Sequence, residues 1–231
     1  MNQQLIKTTI KQDFLRDFSD IKLYVIISSN LVKKPVLTTL EDVIQGGADI
    51  VQLREKTMPD STFLTLAKEF KKITFQSKTL FIVNDRAEIA KKADADGLHI
   101  GQSDINISAA RKIIGYSKIV GISTHTIVQA REAQREGADY ISVGPIFYTG
   151  TKDYEPPVGL DYLKQVKREI TIPFVAIGGI NLENINDILN AGGSCLAICS
   201  AIICSDTIVQ TTRSFKTQLI QYSLSLKSKH L

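Results

Sequence analysis

The sequence predicts an α/β fold, a single (β/α)8 TIM barrel, and three observations carry that expectation. Eight short runs rich in Ile, Val and Leu recur along the 231 residues. They are near-continuously apolar rather than alternating, which is the pattern of parallel strands buried on both faces. Segments of helical period separate them, and no G-x-G-x-x-G fingerprint follows the first run. Eight strand–helix units in about 200 residues fit a closed barrel better than a doubly wound open sheet.

In chain order the runs are LYVII from Leu23, DIVQL from Asp49, LFIV from Leu80, DGLHI from Asp96, KIVGIS from Lys118, DYISVG from Asp139, PFVAIG from Pro173 and CLAICS from Cys195. Residues 1–22 carry no motif and are expected to form a helical extension that caps the bottom of the barrel. After the second run, Phe63, Leu66, Ala67, Phe70 and Ile73 follow the i, i+3, i+4, i+7 pattern, with Lys68, Lys71 and Lys72 left for the outer face. After the seventh, a helix is expected from Asn181, with Ile185, Ile188 and Leu189 on one side and Gly192 as its stop. The last helix, from about Asp206, aligns Ile208, Thr212, Phe215, Leu219 and Tyr222. No Pro-, Gly- or Ser-rich linker divides the chain, so residues 1–231 read as one domain with a polar tail, SLSLKSKHL, that is expected to fray.

Composition narrows the function classes. With 43% hydrophobic and 23% charged residues the chain can bury one substantial core. A formal charge of +4, without a basic block, fits a small anionic ligand and argues against a nucleic-acid partner. The N-terminus lacks the apolar core of a signal peptide, and the longest apolar stretch, around Cys195 to Cys204, falls short of the roughly 18 residues that cross a bilayer. The expectation is a cytoplasmic protein without a membrane partner. Cys195, Cys199 and Cys204 are odd in number and lack C-x-x-C spacing, so they read as reduced, buried small hydrophobes.

With the strands placed this way, the polar residues that interrupt apolar runs are expected at strand C-terminal ends, the face that carries the active site of such barrels. The segments are 52–56, 84–86, 99–104, 123–125, 149–152, 178–179 and 199–200. Arg54, Lys56 and Lys152 supply cations, and Asn84 and Ser123 supply neutral donors. Asp85 and Asp104 supply a pair of hard oxygen ligands. This set can hold a diphosphate whose charge is shared with a divalent cation, and two carboxylates without a Cys or His cluster favour Mg²⁺ over Zn²⁺.

A second anion site is expected where Gly178-Gly179 and Ser200 end the seventh and eighth strands, each just before a helix with unpaired N–H groups. Together these sites imply two phosphorylated small-molecule substrates. Taken singly, R-E-K is usually a solvated face, N-D-R a turn and G-G a tight turn. Their joint placement at successive strand ends is what favours function. His99 faces the same end, as a buried hydrogen-bonding residue or a ligand contact, while His125 and His230 are unassigned.

The motifs GGADIVQLREK ending at Lys56, IVNDR ending at Arg86, ADGLHIGQSD ending at Asp104, GIST ending at Thr124, GADYISVGPIFYTGTK ending at Lys152 and PFVAIGGI ending at Ile180 together resemble the thiamine phosphate synthase family, from about Leu23 to Ile202. The resemblance implies Mg²⁺-dependent transfer that joins 4-amino-5-hydroxymethyl-2-methylpyrimidine diphosphate to 4-methyl-5-(2-phosphoethyl)thiazole, giving thiamine phosphate and pyrophosphate. It implies a dissociative course, in which pyrophosphate departs first and the thiazole nitrogen attacks the pyrimidinylmethyl cation.

By the same resemblance, Gln52, Leu53, Arg54, Glu55, Lys56 and Asn84 line the pyrimidine diphosphate, Asp85 and Asp104 hold Mg²⁺, and Ser123 and Lys152 meet the leaving pyrophosphate. Thr149, Gly150, Thr151, Gly179, Cys199 and Ser200 match the thiazole phosphate site. Arg54, Asn84, Ser123 and Lys152 are the catalytic set. Two departures stand out: Cys199 where an aliphatic residue is usual, and Ser103 where an acid is frequent. The loop from Tyr148 to Pro157 is the candidate lid. The alternatives are a thiazole tautomerase-like isomerase, which needs neither diphosphate clamp nor metal, and a non-catalytic thiamine phosphate sensor. The oligomeric state, homo-oligomer included, is left open.

Overall fold

In the computed structural model, which describes residues 9–150 and 156–228, each apolar run forms a parallel strand hydrogen-bonded to its neighbour in sequence. The elements follow in order: α1 (Ile10–Asp17), β1 (Leu23–Ile27), α2 (Val36–Gln45), β2 (Ile50–Leu53), α3 (Asp60–Ser77), β3 (Leu80–Asn84), α4 (Ala87–Lys92), β4 (Gly97–Ile100) and α5 (Ile107–Ile114). The second half continues with β5 (Ile119–Thr124), α6 (Ile127–Arg135), β6 (Tyr140–Val143), α7 (Gly159–Glu169), β7 (Phe174–Ile177), α8 (Ile185–Asn190), β8 (Leu196–Ile198), α9 (Ser200–Ile203) and α10 (Ile208–Ser228). Strand β8 returns to β1, with Leu23 opposite Leu196, and closes the eight-stranded barrel.

The pleat divides the apolar residues into two cores. Val25, Val51, Leu53, Phe81, Val83 and Leu98 face outward and pack under the helices, where Phe63, Ala67 and Phe70 of α3 meet them. Tyr24, Ile26, Ile50, Ile82, Ile119, Tyr140, Val175 and Ala197 fill the barrel interior. Burial on both faces is why these strands read as unbroken apolar runs.

The N-terminal helix plugs the lower end. Thr9 caps α1 through a reciprocal capping box with Gln12, and Phe14, 3% exposed, enters the interior with its ring 5.8 Å from that of Tyr140. The Lys11 N–H donates to the Ser117 carbonyl at 3.2 Å, and its ammonium meets Asp139 at 2.8 Å. Within the expected extension 1–22, helix covers residues 10–17 and a 3-10 turn follows from Phe18 to Asp20, while residues 1–8 lie outside the described part.

The structure corrects two expectations. Polar residues do not gather at the C-terminal ends alone, because Asp49, Asp96 and Asp139 stand just before β2, β4 and β6 at the opposite end. Asp49 accepts the Leu23 N–H at 2.9 Å, Asp96 the Phe81 N–H at 2.9 Å and Asp139 the Val120 N–H at 2.8 Å, each capping the preceding strand. Each is also neutralised by a cation: Lys216, Lys71, and Arg111 with Lys11. Helix α8 begins at Ile185 rather than Asn181, because Asn181 and Asn184 take up the intervening N–H groups: Asn181 Oδ1 accepts from Glu183 N at 2.9 Å and Asn184 Oδ1 from Asn181 N at 2.9 Å. No helix among the described residues is long and apolar enough to cross a membrane.

Asp139 is the most heavily used of the three acids. Its side chain and that of Arg111 are 3% and 6% exposed. Asp139→Ala leaves a buried guanidinium unpaired and should cost about 3–5 kcal/mol of stability, read as a lower urea midpoint. Asp161→Ala, at an almost fully exposed acid, should leave that midpoint in place.

Candidate active site

A cavity of about 450 Å³ opens at the C-terminal ends of the strands. Gln52 and Arg54 of the β2 segment, Asn84, His99 and Ser123 line one side, and Thr149, Gly150, Gly179, Cys199 and Ser200 line the other. These members of the two expected anion sites thus share one mouth, whereas Asp85 and Asp104 stand beside it in the turns after β3 and β4 and do not line it. Among the described residues no carboxylate pairs with the Arg54 guanidinium, which is half-buried in the cavity wall.

Strand alternation removes two residues of the Q-L-R-E-K run from the cavity. Leu53 is fully buried in the outer core. Glu55 turns back to accept the Ser29 N–H at 2.7 Å and its hydroxyl at 2.8 Å, so it ties the β2 segment to the loop after β1. Lys56 stands at the rim, half-exposed, with its ammonium on the Asp85 carboxylate.

Asp85 adopts the left-handed conformation at φ 62°, a strained choice that Asp tolerates better than most residues. Its N–H donates to the His99 carbonyl at 2.8 Å, which anchors the turn to β4. Arg86 staples the same turn to the loop after β2: its guanidinium donates to the carbonyls of Met58 at 2.6 Å and Glu55 at 3.1 Å and lies 5.0 Å above the Phe63 ring. The N-D-R turn is therefore a fixed platform.

The carboxylates of Asp85 and Asp104 lie close enough to shift each other's ionisation. Burial and the neighbouring Asp104 push the Asp85 carboxyl above its ordinary range against the pull of Lys56. Burial also opposes ionisation of Asp104, but the Gly101 N–H, donated at 2.7 Å, and the Asp85 contact outweigh it and hold that carboxyl low. Two acids pressed together beside one lysine lack positive charge, and they form the hard-oxygen pair that a divalent cation such as Mg²⁺ accepts along with phosphate oxygens. The donor set fits that ion.

Sequence reasoning missed a buried chain of hydrogen bonds. Gln52 Nε2 donates to the Tyr24 hydroxyl at 2.7 Å, which lies 3.1 Å from the Tyr140 hydroxyl; His99 Nδ1 is 2.9 Å from Tyr140 and its Nε2 is 3.0 Å from Ser123 Oγ. Tyr24, Tyr140, His125 and Ser142 also line the cavity. The signal that could have found the tyrosines is strand parity, since Tyr24 shares the inward parity of Ile26.

On the far side, the loop after β6 is sewn to β7, with Ile146 N donating to Ile177 O at 2.8 Å and Phe147 N to Gly178 O at 3.1 Å. Gly179, at φ 66°, lies directly beneath it, and a Cβ there would sit 2.4 Å from the Tyr148 carbonyl. This close approach carries Thr149 and Gly150 to the cavity. Thr151 and Lys152 lie outside the described residues, as does the middle of the candidate lid. Cys199, Ser200 and Ala201, at the start of the short helix α9, line the cavity, whereas the stretch after Gly179 is a turn and not the expected helix start. Among the cysteines, all free, Cys195 is buried as expected, and Cys199 and Cys204 are partly buried and packed against the outer core. Burial pushes the Cys199 thiol up to about 12, with Arg54 pulling the other way.

Comparison with known proteins agrees with this arrangement. The family model described as thiamine monophosphate synthase matches residues 23–202. The thiamine-phosphate synthase of Clostridium novyi is 43% identical over 189 residues, 81% of this chain and 93% of that one. The thiamine-phosphate synthase of Methanosarcina mazei is 40% identical over 208 residues, 90% of this chain and 85% of that one. The structure of a thiamine phosphate pyrophosphorylase from Pyrococcus furiosus superposes with a TM-score of 0.81 at 31% identity, covering 88% of this chain and 98% of that one. With all eight strands, β1 to β8, inside the matched span, and the cavity residues within it, the chain belongs to the thiamine monophosphate synthase family.

Proposed function

We propose that the chain is a thiamine-phosphate synthase, a transferase that couples the pyrimidine diphosphate to the thiazole phosphate, with Mg²⁺, and releases pyrophosphate. The observation that carries this reading is that the turns after β3 and β4, beside the cavity that Arg54 lines, hold the carboxylate couple Asp85 and Asp104, while the Arg54 guanidinium has no carboxylate partner among the described residues. Such a set suits a diphosphate that arrives with a divalent cation. A tautomerase acting on the thiazole phosphate alone has no use for it.

Each side chain has a task in this reading. Arg54 and Asn84 hold the diphosphate, and Ser123 and Lys152 donate to the pyrophosphate as it departs. Asp85 and Asp104 hold Mg²⁺, which when bound neutralises charge that builds on the leaving group. The pyrimidinylmethyl cation and the thiazole nitrogen need only be kept in line and apart from water. No protein nucleophile is required, in keeping with a Cys199 thiol that stays protonated near neutral pH. The thiazole phosphate takes the place between Thr149, Gly150 and Gly179 and the first N–H groups of α9, the common phosphate position after strands seven and eight of such barrels. The reading carries with it a cytoplasmic setting, in which the three thiols stay reduced.

The test is to mix the protein with both substrates and Mg²⁺ and follow thiamine phosphate as its fluorescent thiochrome. Product that disappears with EDTA is expected. Thiazole phosphate binding without product would overturn the proposal in favour of an isomerase or a sensor. Gly179→Ala should raise KM for the thiazole phosphate by about tenfold or more, because the new methyl must displace the Tyr148 backbone that carries Thr149 and Gly150. KM for the pyrimidine diphosphate should stay near the wild-type value.

A further inference from the structure

We propose that Tyr24 and Tyr140 are positioning residues which, acting through His99, fix Ser123 as a hydrogen-bond donor into the cavity. The argument starts from Gln52, whose amide nitrogen can only donate and does so to the Tyr24 oxygen at 2.7 Å. The proton of Tyr24 then has the Tyr140 oxygen, 3.1 Å away, as its partner. Tyr140 in turn donates to His99 Nδ1, so the histidine carries its proton on Nε2 and donates to Ser123 Oγ. The serine hydroxyl proton is left to point at a ligand. In the reverse sense the Tyr24 oxygen would receive two protons while its own, in a side chain 2% exposed, found no acceptor among the described residues.

The barrel is built around this chain. Tyr140 belongs to β6 and His99 to β4, and the intervening strand β5 carries Gly121 in register with both. A Cβ on Gly121 would lie 2.0 Å from the Tyr140 ring carbon that bears the hydroxyl. Strand β5 thus gives up a side chain so that the phenol can cross it to reach the histidine. Tyr140 is 1% exposed, and His99 and Ser123 are each 7% exposed. Burial pushes both phenols well above their ordinary range, so the chain consists of neutral hydroxyls whose direction is set by Gln52. A donor oriented before the substrate arrives needs no reorganisation when charge develops on the leaving group.

The catalytic part of this proposal rests on the synthase reading, while the direction of the chain does not, and the experiment separates them. In the ligand-free protein, nitrogen-15 spectra of the histidine rings, with His99 assigned by its loss in His99→Gln, should show the proton on Nε2. A ring protonated on Nδ1 at neutral pH would overturn the proposal whether or not the protein makes thiamine phosphate. In turnover, Tyr140→Phe keeps the ring against Phe14 and should lower kcat about tenfold, less than outright removal of such a donor, with both KM values within about twofold of wild type. Tyr24→Phe should act in the same direction and serves if Tyr140→Phe is unstable. In a Ser123→Ala background, Tyr140→Phe should have no further effect on kcat. Losses that multiply in the double variant would show that the tyrosine acts independently of Ser123 and would overturn the positioning role.

Discussion

Asp104→Ala is expected to lower kcat about 10²-fold or more at a fixed, low Mg²⁺ concentration, since the metal's share of charge stabilisation is several kcal/mol and each tenfold corresponds to about 1.4. The reasoning runs through the pair and not through the single residue. Asp104 is the member held ionised by the Gly101 N–H, whereas Asp85 is already engaged by Lys56. Without Asp104, Asp85 and Lys56 form a closed ion pair with little net charge to offer a cation. Asp104→Asn makes the comparison clean, because an amide oxygen can still accept the Gly101 N–H at the 2.7 Å contact and preserve the turn. That variant should fold like wild type and show the same loss, partly recovered as Mg²⁺ is raised. Undiminished turnover in both variants at low Mg²⁺ would remove Asp104 from the metal site.

Arg54→Ala should also cost about 10²-fold in kcat/KM for the pyrimidine diphosphate, the usual scale for deleting one preorganised group at a developing anion. The backbone at this position is independently secured, with Arg54 N donating to Ile27 O at 2.9 Å, so the loss should fall on the site and not on the fold. Arg54→Lys should recover little, because a point charge cannot reproduce the planar two-pronged contact a guanidinium makes with phosphate. The thiazole phosphate provides the control. If Arg54→Ala weakened that substrate alone, the assignment of the two anion sites to opposite sides of the mouth would have to be exchanged.

Some of the site could be read directly from the chain and some could not, for definite reasons. Arg54, Asn84, His99 and Ser123 are polar residues at the ends of apolar runs, where a parallel barrel leaves no structural use for them, and the structure brings their side chains to the cavity. Leu53 and Glu55 sit inside the same motif as Arg54, yet the pleat sends Leu53 to the outer core and a loop contact turns Glu55 toward Ser29. A contiguous motif records which residues occur together, not which face each takes. Tyr24 and Tyr140 went unread for the opposite reason: each lies within an apolar run and passes for core, and their partnership spans 116 positions.

The sequence by itself determined the barrel and its strand order, because burial of every strand on both faces leaves an unbroken apolar signature and parallel neighbours must be joined by helices. It also determined which chemical groups would be available at the mouth. Only the tertiary structure decided how those groups are coupled. The contact of Asp85 with Asp104, the sealing of the lower end by Phe14, the acids beneath β2, β4 and β6, and the passage of Tyr140 over Gly121 all join residues distant in the chain. Their energies depend on distance and desolvation, which closure of the barrel sets and no local pattern of residues encodes.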